Sequence, residues 1–132
     1  MDGDTVSNKE VKDKFTLAKE QLDRANDSWG GTNDEPENVV MWCFYALENA
    51  VVAAAEAKGW KWKRTHPNKV ELAKKLHSKG IVNLDVSGLL TTLNEARKDV
   101  AYGEPGSMLR EIELEDVLSE VEEFIEQVKG IL

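Results

Sequence analysis

Apolar residues recur at helical spacing along nearly the whole chain. In the first segment they lie three or four positions apart and form one stripe: Val11, Phe15, Ala18, Leu22, Ala25 and Trp29. This spacing turns one face of a helix toward a core. Gly30 and Gly31 end the pattern, and the polar residues and proline of segment 32–36 favour the start of a new helix. The pattern therefore predicts a first helix that ends at the two glycines.

The second segment, residues 39–57, is apolar on almost every side. A helix of this kind belongs at the centre of a bundle, where it has neighbours all round. Its many alanines allow the neighbouring helices to approach closely. We therefore expect Leu47, Val51 and Ala54 to be buried, and Gly59 to end the helix.

Three further helices are predicted in the second half of the chain. A short one lies between Thr65 and Gly80, a fourth begins after a capping Asp85 and ends at Gly103, and the last carries an apolar stripe over residues 114–128. No strand pattern of comparable strength occurs. About five helices joined by short loops predict an all-α fold, an antiparallel helical bundle.

Length and composition narrow the class of protein. The 132 residues suit one domain, predicted to span 1–132 with residues 1–7 flexible, and a 41% hydrophobic content is too apolar for a disordered chain. The N-terminal sequence lacks the apolar region of a secretory signal, and the longest apolar run, residues 39–47, is too short to span a membrane. The single cysteine suits a reducing compartment. These features predict a cytoplasmic protein with no membrane association.

Positive charge is concentrated in one segment of an acidic protein. The net charge is −8, yet residues 58–79 hold eight basic residues against Glu71 and so carry +7, which leaves −15 elsewhere. Three interpretations are open: the segment binds a polyanion, it pairs with an acidic surface of another subunit, or it is a solvated helix face. If nucleic acid binds, the candidate contacts are Lys61, Lys63, Arg64 and Lys69.

Two tryptophans, Trp60 and Trp62, alternate with the first lysines of this segment. Aromatic rings among cations can stack on nucleic-acid bases. The same rings can close one end of the bundle core, which is the interpretation we favour.

Common catalytic and cofactor motifs are missing from the sequence. It has no glycine-rich phosphate loop, no His-Glu-x-x-His or calcium-loop pattern, and no Glu-x-x-His pair for a di-metal bundle. We therefore predict no cofactor and no metal. Cys43 lies in the most apolar run, so we expect an inert core thiol rather than a nucleophile. His66 is expected to lie at the start of a helix and to form local hydrogen bonds.

The segment ARKDVAYGEP, residues 96–105, holds the strongest candidate site. Arg97 lies at the edge of an apolar stripe, and a guanidinium in that position needs an anionic or carbonyl partner. Tyr102 follows in the last turn of the same predicted helix. Either the two side chains share a cleft for an anionic ligand, or Arg97 is bonded to a carboxylate such as Glu48 while Tyr102 packs its ring against the bundle.

The chain resembles the HEPN domains, the "higher eukaryotes and prokaryotes nucleotide-binding" helical bundles, over roughly residues 8–130. Three features carry the resemblance: the alanine-rich helix FYALENAVVAAAEAKG, the loop and short helix THPNKVELAKKL, and ARKDVAYGEP before an amphipathic last helix. The signature of that family is an Arg followed four to six residues later by His. Arg97 matches the Arg, and Tyr102 stands where the His is expected, as in a branch of small prokaryotic members with Arg-x4-Tyr.

The resemblance implies a homodimer in which two signature helices build one cleft. It further implies binding of RNA or a nucleotide, and many members are metal-independent ribonucleases, often toxins of toxin–antitoxin pairs. Others only bind nucleotides or proteins, so the alternative is a non-catalytic interaction module that pairs with a nucleotidyltransferase. In the first case Arg97 holds phosphate and Tyr102 donates to it. Supporting roles fall to Glu48 or Asn49, which would orient Arg97, and to the polar residues that follow it, Lys98 and Asp99.

Overall fold

Five helices form the part of the chain that the structure describes. The structure is a computed structural model that describes residues 7–31, 35–101 and 112–132. The helices are α1 (Asn8–Trp29), α2 (Pro36–Ala57), α3 (His66–Ser78), α4 (Ser87–Ala101) and α5 (Leu114–Lys129), and no strand occurs in the described ranges. The predicted all-α bundle is confirmed.

The ends of α1 follow the signals in the sequence. Ser7 caps its start, since its hydroxyl accepts a hydrogen bond from the Glu10 backbone N–H at 3.2 Å. Gly30 ends the helix with a φ of 52°, a left-handed conformation that glycine adopts without steric cost. Pro36 then begins α2, whereas residues 32–34 of the predicted helix start lie outside the described residues, as do residues 1–6 of the segment expected to be flexible.

The central position of α2 is also confirmed. This helix packs against each of the other four, and α1 and α5 as well as α3 and α4 pack against each other. Leu47, Val51 and Ala54 have no exposed surface. The alanines on α2 bring the neighbouring helices close, and the core they share is continuous from α1 to α5.

By length and composition alone, α2 could cross a membrane, and it is the only such helix in the described ranges. Within the bundle, however, 67% of its most apolar window is buried. That burial is typical of the core helix of a soluble protein, in agreement with the prediction of a bundle rather than a membrane span.

Polar caps fix the starts of α3 and α4, the two helices that flank the candidate site. The Thr65 hydroxyl accepts a hydrogen bond from the Asn68 backbone N–H, and the Asp85 carboxylate accepts one from the Ser87 backbone N–H at 2.9 Å. Hydrogen bonds from Ser87 are also the main reason that the pKa of Asp85 lies below its usual range. The α4 helix is described as far as Ala101, so its predicted end at Gly103 lies outside the described residues.

Candidate functional site

An open groove of about 470 Å³ lies between the start of α3 and the second half of α4. Its polar lining includes His66, Asn94, Glu95, Arg97 and Lys98. The α2 helix passes beneath it, and Phe44 of α2 contacts both helices there. The groove therefore lies where three helices meet, and rigid elements hold its lining residues.

Arg97 is the best-positioned cation in this groove. Its guanidinium carbon lies 4.9 Å from the centroid of the Phe44 ring, a cation–π contact that holds the planar group in place. One Nη2–H donates to the Asn94 Oδ1 at 3.0 Å, from one turn earlier on α4. The buried Nε–H has no hydrogen-bond partner, and no described carboxylate forms an ion pair with Arg97. The cation is thus oriented but not neutralised.

His66 lines the groove from its other side, at the first position of α3. Its ring centroid is 6.3 Å from that of Phe44, so Arg97 and His66 both lie against the same aromatic side chain. The Nδ1 atom is buried and has no hydrogen-bond partner, contrary to the local bonds expected for a residue that begins a helix. Burial lowers the pKa of the imidazole, which keeps the ring neutral at neutral pH.

The side chains expected to orient Arg97 are bonded elsewhere in the described structure. Glu48 forms an ion pair with Lys69 at 3.0 Å, which links α2 to α3. Asn49 donates from Nδ2 to the Gln21 Oε1 at 2.8 Å, which links α2 to α1. The orienting contact from Glu48 or Asn49 is therefore not made, and the Asn94 Oδ1, one helical turn from Arg97, accepts from the guanidinium instead.

The remaining residues predicted for the signature helix differ in their position relative to the groove. Lys98 lines the groove and lies 3.6 Å from Glu95 in an exposed ion pair. Asp99 is half-buried on α4. Tyr102, the predicted partner of Arg97, lies outside the described residues.

The four candidate nucleic-acid contacts of the basic segment differ in exposure: Lys61, Lys63 and Arg64 are exposed, whereas Lys69 is half-buried. Lys69 is half-buried and paired with Glu48, and Lys63 contributes its backbone N–H to the Asn68 Oδ1 at 2.6 Å. Arg64 is exposed in the loop before α3. Lys61 lines a second open groove, on the outer side of α3, together with Lys75. Part of the positive charge of segment 58–79 is therefore used inside the bundle.

Trp60 and Trp62 close one end of the core, as the favoured interpretation predicted. Both are half-buried and pack against the hydrophobic core. The Trp62 indole donates to the Glu56 carboxylate, which Lys14 also contacts at 2.7 Å, so a buried acid holds the loop after α2 against α1. The Lys75 ammonium lies 4.1 Å from the centroid of the Trp60 ring. This face of Trp60 is covered by a cation and is not open to a base.

Cys43 has the environment of a core thiol. It is fully buried on α2, and burial raises its pKa to about 12. Among the residues that the structure describes, no group of three His, Cys, Asp or Glu side chains could hold a metal ion. Among the described residues, the buried side-chain nitrogen and oxygen atoms without a hydrogen-bond partner are both at the groove, Nε of Arg97 and Nδ1 of His66.

Comparison with protein-family models decides the family. The HEPN domain model matches residues 11–131, which is nearly the entire chain. The chain belongs to the HEPN family. A comparison with curated proteins found no match. A HEPN domain is an all-α module of a kind that is often associated with ribonuclease or nucleotide-related functions.

Two groove residues, Asn94 and His66, were not predicted as site residues from the sequence. Asn94 precedes Arg97 by three positions, a spacing that places both on the same face of a helix, so helical geometry was a usable signal. For His66 the sequence showed only a helix start. Its approach to Arg97 depends on how α3 packs against α4, and no local pattern reports that packing.

Proposed function

We propose that this HEPN protein binds phosphate groups of RNA or of a nucleotide in the groove around Arg97. The observation that carries the proposal is the half-buried guanidinium of Arg97, which has a buried N–H without a partner and forms no ion pair with a described carboxylate. A cation in that state gains from a phosphate oxygen both a missing hydrogen bond and a neutralising charge. Lys98 and His66 on the groove walls add further donors.

The shape of the groove favours a ligand that extends beyond a single phosphate. Besides Arg97 and Lys98, its lining includes the apolar Pro67 and Val70, the hydroxyl of Thr91, and the carboxylates of Glu71 and Glu95. A ribose or base can lie against Pro67 and Val70 while the phosphate lies at Arg97. Outside segment 58–79 the chain carries −15, so the acidic surfaces of the protein repel nucleic acid and favour its approach on the side of the basic residues.

Binding of a labelled single-stranded RNA, measured by fluorescence anisotropy at low salt, tests the proposal. Arg97→Ala should weaken binding about tenfold to a hundredfold, since it removes a charge-assisted contact of about 1.5–3 kcal/mol. Arg24→Ala is the matched control, because Arg24 also lies over an aromatic ring, that of Trp42 on the other side of the bundle, and carries the same charge. Equal binding by wild type and both variants would contradict the proposal.

The same samples separate RNA from a free nucleotide as the ligand. Displacement of the labelled RNA by uridine monophosphate would indicate a mononucleotide site, whereas displacement only by unlabelled RNA would indicate an RNA site. Both outcomes keep Arg97 as the phosphate contact.

Ribonuclease activity of the toxin–antitoxin type is the catalytic form of this proposal. It requires a group that moves a proton at the ribose, a role for which Tyr102 is poorly suited at neutral pH because the reference pKa of tyrosine is about 10. Tyr102→His restores the Arg-x4-His spacing of the family. Cleavage of RNA by this variant but not by the wild type would show that the natural protein binds RNA, without cleaving it, in a cleft that can support ribonuclease activity.

A non-catalytic interaction module is the second candidate function. The outer face of α5 favours it, since five acidic side chains are exposed there: Glu115, Asp116, Glu122, Glu123 and Glu126. Such a face repels RNA and suits a basic protein surface, such as one on a nucleotidyltransferase partner. Charge reversal at Glu122 and Glu123 that abolishes co-purification with a co-expressed nucleotidyltransferase, while RNA binding is absent, would favour this candidate.

A further inference from the structure

His66 is the second polar group in the described structure that is buried at the groove without a hydrogen-bond partner. The two unpartnered atoms are Nε of Arg97 on α4 and Nδ1 of His66 on α3, and both side chains lie against Phe44. Neither residue is close to the other in sequence. Their convergence on one groove is a property of the fold.

The unpartnered Nδ1 determines which tautomer the imidazole adopts. A neutral imidazole has one N–H and one bare nitrogen. Buried N–H groups without an acceptor are rarer in proteins than buried unpaired acceptors, so Nδ1 is assigned as the bare nitrogen. The proton then resides on Nε2, which belongs to the less buried edge of a ring that lines the groove. His66 therefore presents an N–H donor to a ligand.

The surroundings of His66 keep it neutral. Burial and the charges of Lys98 and Arg97 on α4 disfavour the imidazolium, while Glu48 on α2 and Glu95 on α4 favour it, and the balance lowers the pKa of His66 below its ordinary value. The start of α3, where His66 lies, carries partial positive charge and acts in the same direction. At neutral pH the ring is a donor without charge, and it does not serve as a proton acceptor through the buried Nδ1.

We infer that His66 is a phosphate-binding residue of the Arg97 groove and donates a hydrogen bond from Nε2 to an oxygen of the phosphate that Arg97 neutralises. This inference rests on the proposed function and adds a residue of α3 to it. The site then holds a phosphate monoester or diester between two helices, with the charge supplied from α4 and a neutral donor supplied from α3. Both of these contacts come from residues within the described ranges.

A set of substitutions at position 66 tests the inference. His66→Leu removes the donor and should weaken binding about tenfold, measured with uridine monophosphate and with the single-stranded RNA. His66→Gln places an amide N–H near the position of Nε2 and should restore most of the lost affinity, whereas His66→Asn, whose amide reaches only as far as Nδ1, should not. His77→Gln is the matched control, since His77 is exposed at the other end of the same helix. Circular dichroism melts of each variant identify any loss of fold.

Nuclear magnetic resonance of the ring nitrogens gives a second readout that does not depend on the ligand. In the free protein we expect His66 to be neutral at neutral pH, with the proton on Nε2. A proton on Nδ1 overturns the inference whatever the binding data show.

The outcomes separate this inference from the proposed function. If Arg97→Ala weakens binding and His66→Leu does not, the phosphate groove stands and the role of His66 is overturned. If His66→Gln and His66→Asn lose affinity equally, the Nε2 donor is overturned. If the wild type binds neither the nucleotide nor the RNA, both the proposed function and the inference fail.

Discussion

Arg97 is held by contacts that fix its position without using up its hydrogen-bonding capacity. The Phe44 ring covers one face of the guanidinium and Asn94 accepts one of its N–H groups, while the Nε–H has no partner. A buried donor left in this state costs about 1–3 kcal/mol. A purely structural arginine in a bundle of this kind would have a carboxylate beside it, and the nearest candidate expected from the sequence, Glu48, is paired with Lys69. The geometry thus suits an external anion.

His66 makes the stability of the protein depend on pH in a predictable direction. Because burial lowers its pKa in the folded state, the unfolded chain binds the proton more tightly, and folding stability falls as the pH drops below about 6.5. Chemical denaturation at about pH 7.5 and about pH 5 should show a smaller loss of stability for His66→Gln than for the wild type. The carboxylates are common to both proteins and cancel in the comparison. An identical loss in the two proteins would show that His66 is not desolvated.

The α2 helix is the element on which the rest of the bundle depends. It packs against all four other helices, and it presents Phe44 to the groove on one side and Glu56 to the tryptophan-closed end on the other. The site is therefore built on the most buried helix. Mutations that loosen α2 are expected to reduce binding through loss of the fold rather than through loss of a contact.

Substitution on α2 tests its central position. Ala54→Glu should destabilise the protein by several kcal/mol, since it inserts an unpaired carboxylate into a site with no exposed surface. Ala57→Glu, on the last turn of the same helix where the side chain is exposed, is the matched control and should change stability by about 0.5 kcal/mol or less. Thermal melts of the two variants measure the difference. A melt of Ala54→Glu that resembles that of the control would place this face of α2 at the surface.

Element-level features were predictable from the sequence because they depend on local signals. The stripe from Val11 to Trp29 and the stop at Gly30 gave α1, and the apolar run around Leu47 gave the central helix. The contacts around Arg97 were less predictable. Its partnership with Asn94 rather than Glu48, and its approach to His66, depend on rotamers and on the packing of α3 against α4, which periodicity does not encode.

At the scale of the whole molecule, the basic segment 58–79 differs in charge from the acidic remainder of the chain. Lys69 of the basic segment is half-buried and paired with Glu48, so this segment offers less positive surface than its +7 charge implies. The acidic face of α5 lies elsewhere on the bundle. Two copies that bring their α4 helices together would join two Arg97 grooves into one larger cationic cleft, which is the homodimer that we propose for this family member.

The homodimer is tested directly by sedimentation equilibrium. We expect a dimer at tens of micromolar protein, a concentration that populates an interface of ordinary weak affinity. Replacement of an exposed side chain on α4 near the groove, Glu95→Arg, should shift the equilibrium toward monomer if the interface includes this helix. A wild-type protein that sediments as a monomer throughout this range would contradict the shared cleft.

The location of ligand binding is the most direct test of the central claim that the Arg97 groove is the functional site. Backbone amide chemical shifts of the labelled protein, followed by nuclear magnetic resonance during titration with uridine monophosphate and with the single-stranded RNA, map the contact. The account predicts that the largest changes cluster on the first turn of α3 around His66 and on α4 from Asn94 to Lys98, and that they are lost in Arg97→Ala. Changes centred on α5 or on the outer groove at Lys61, or no saturable changes at all, would contradict it.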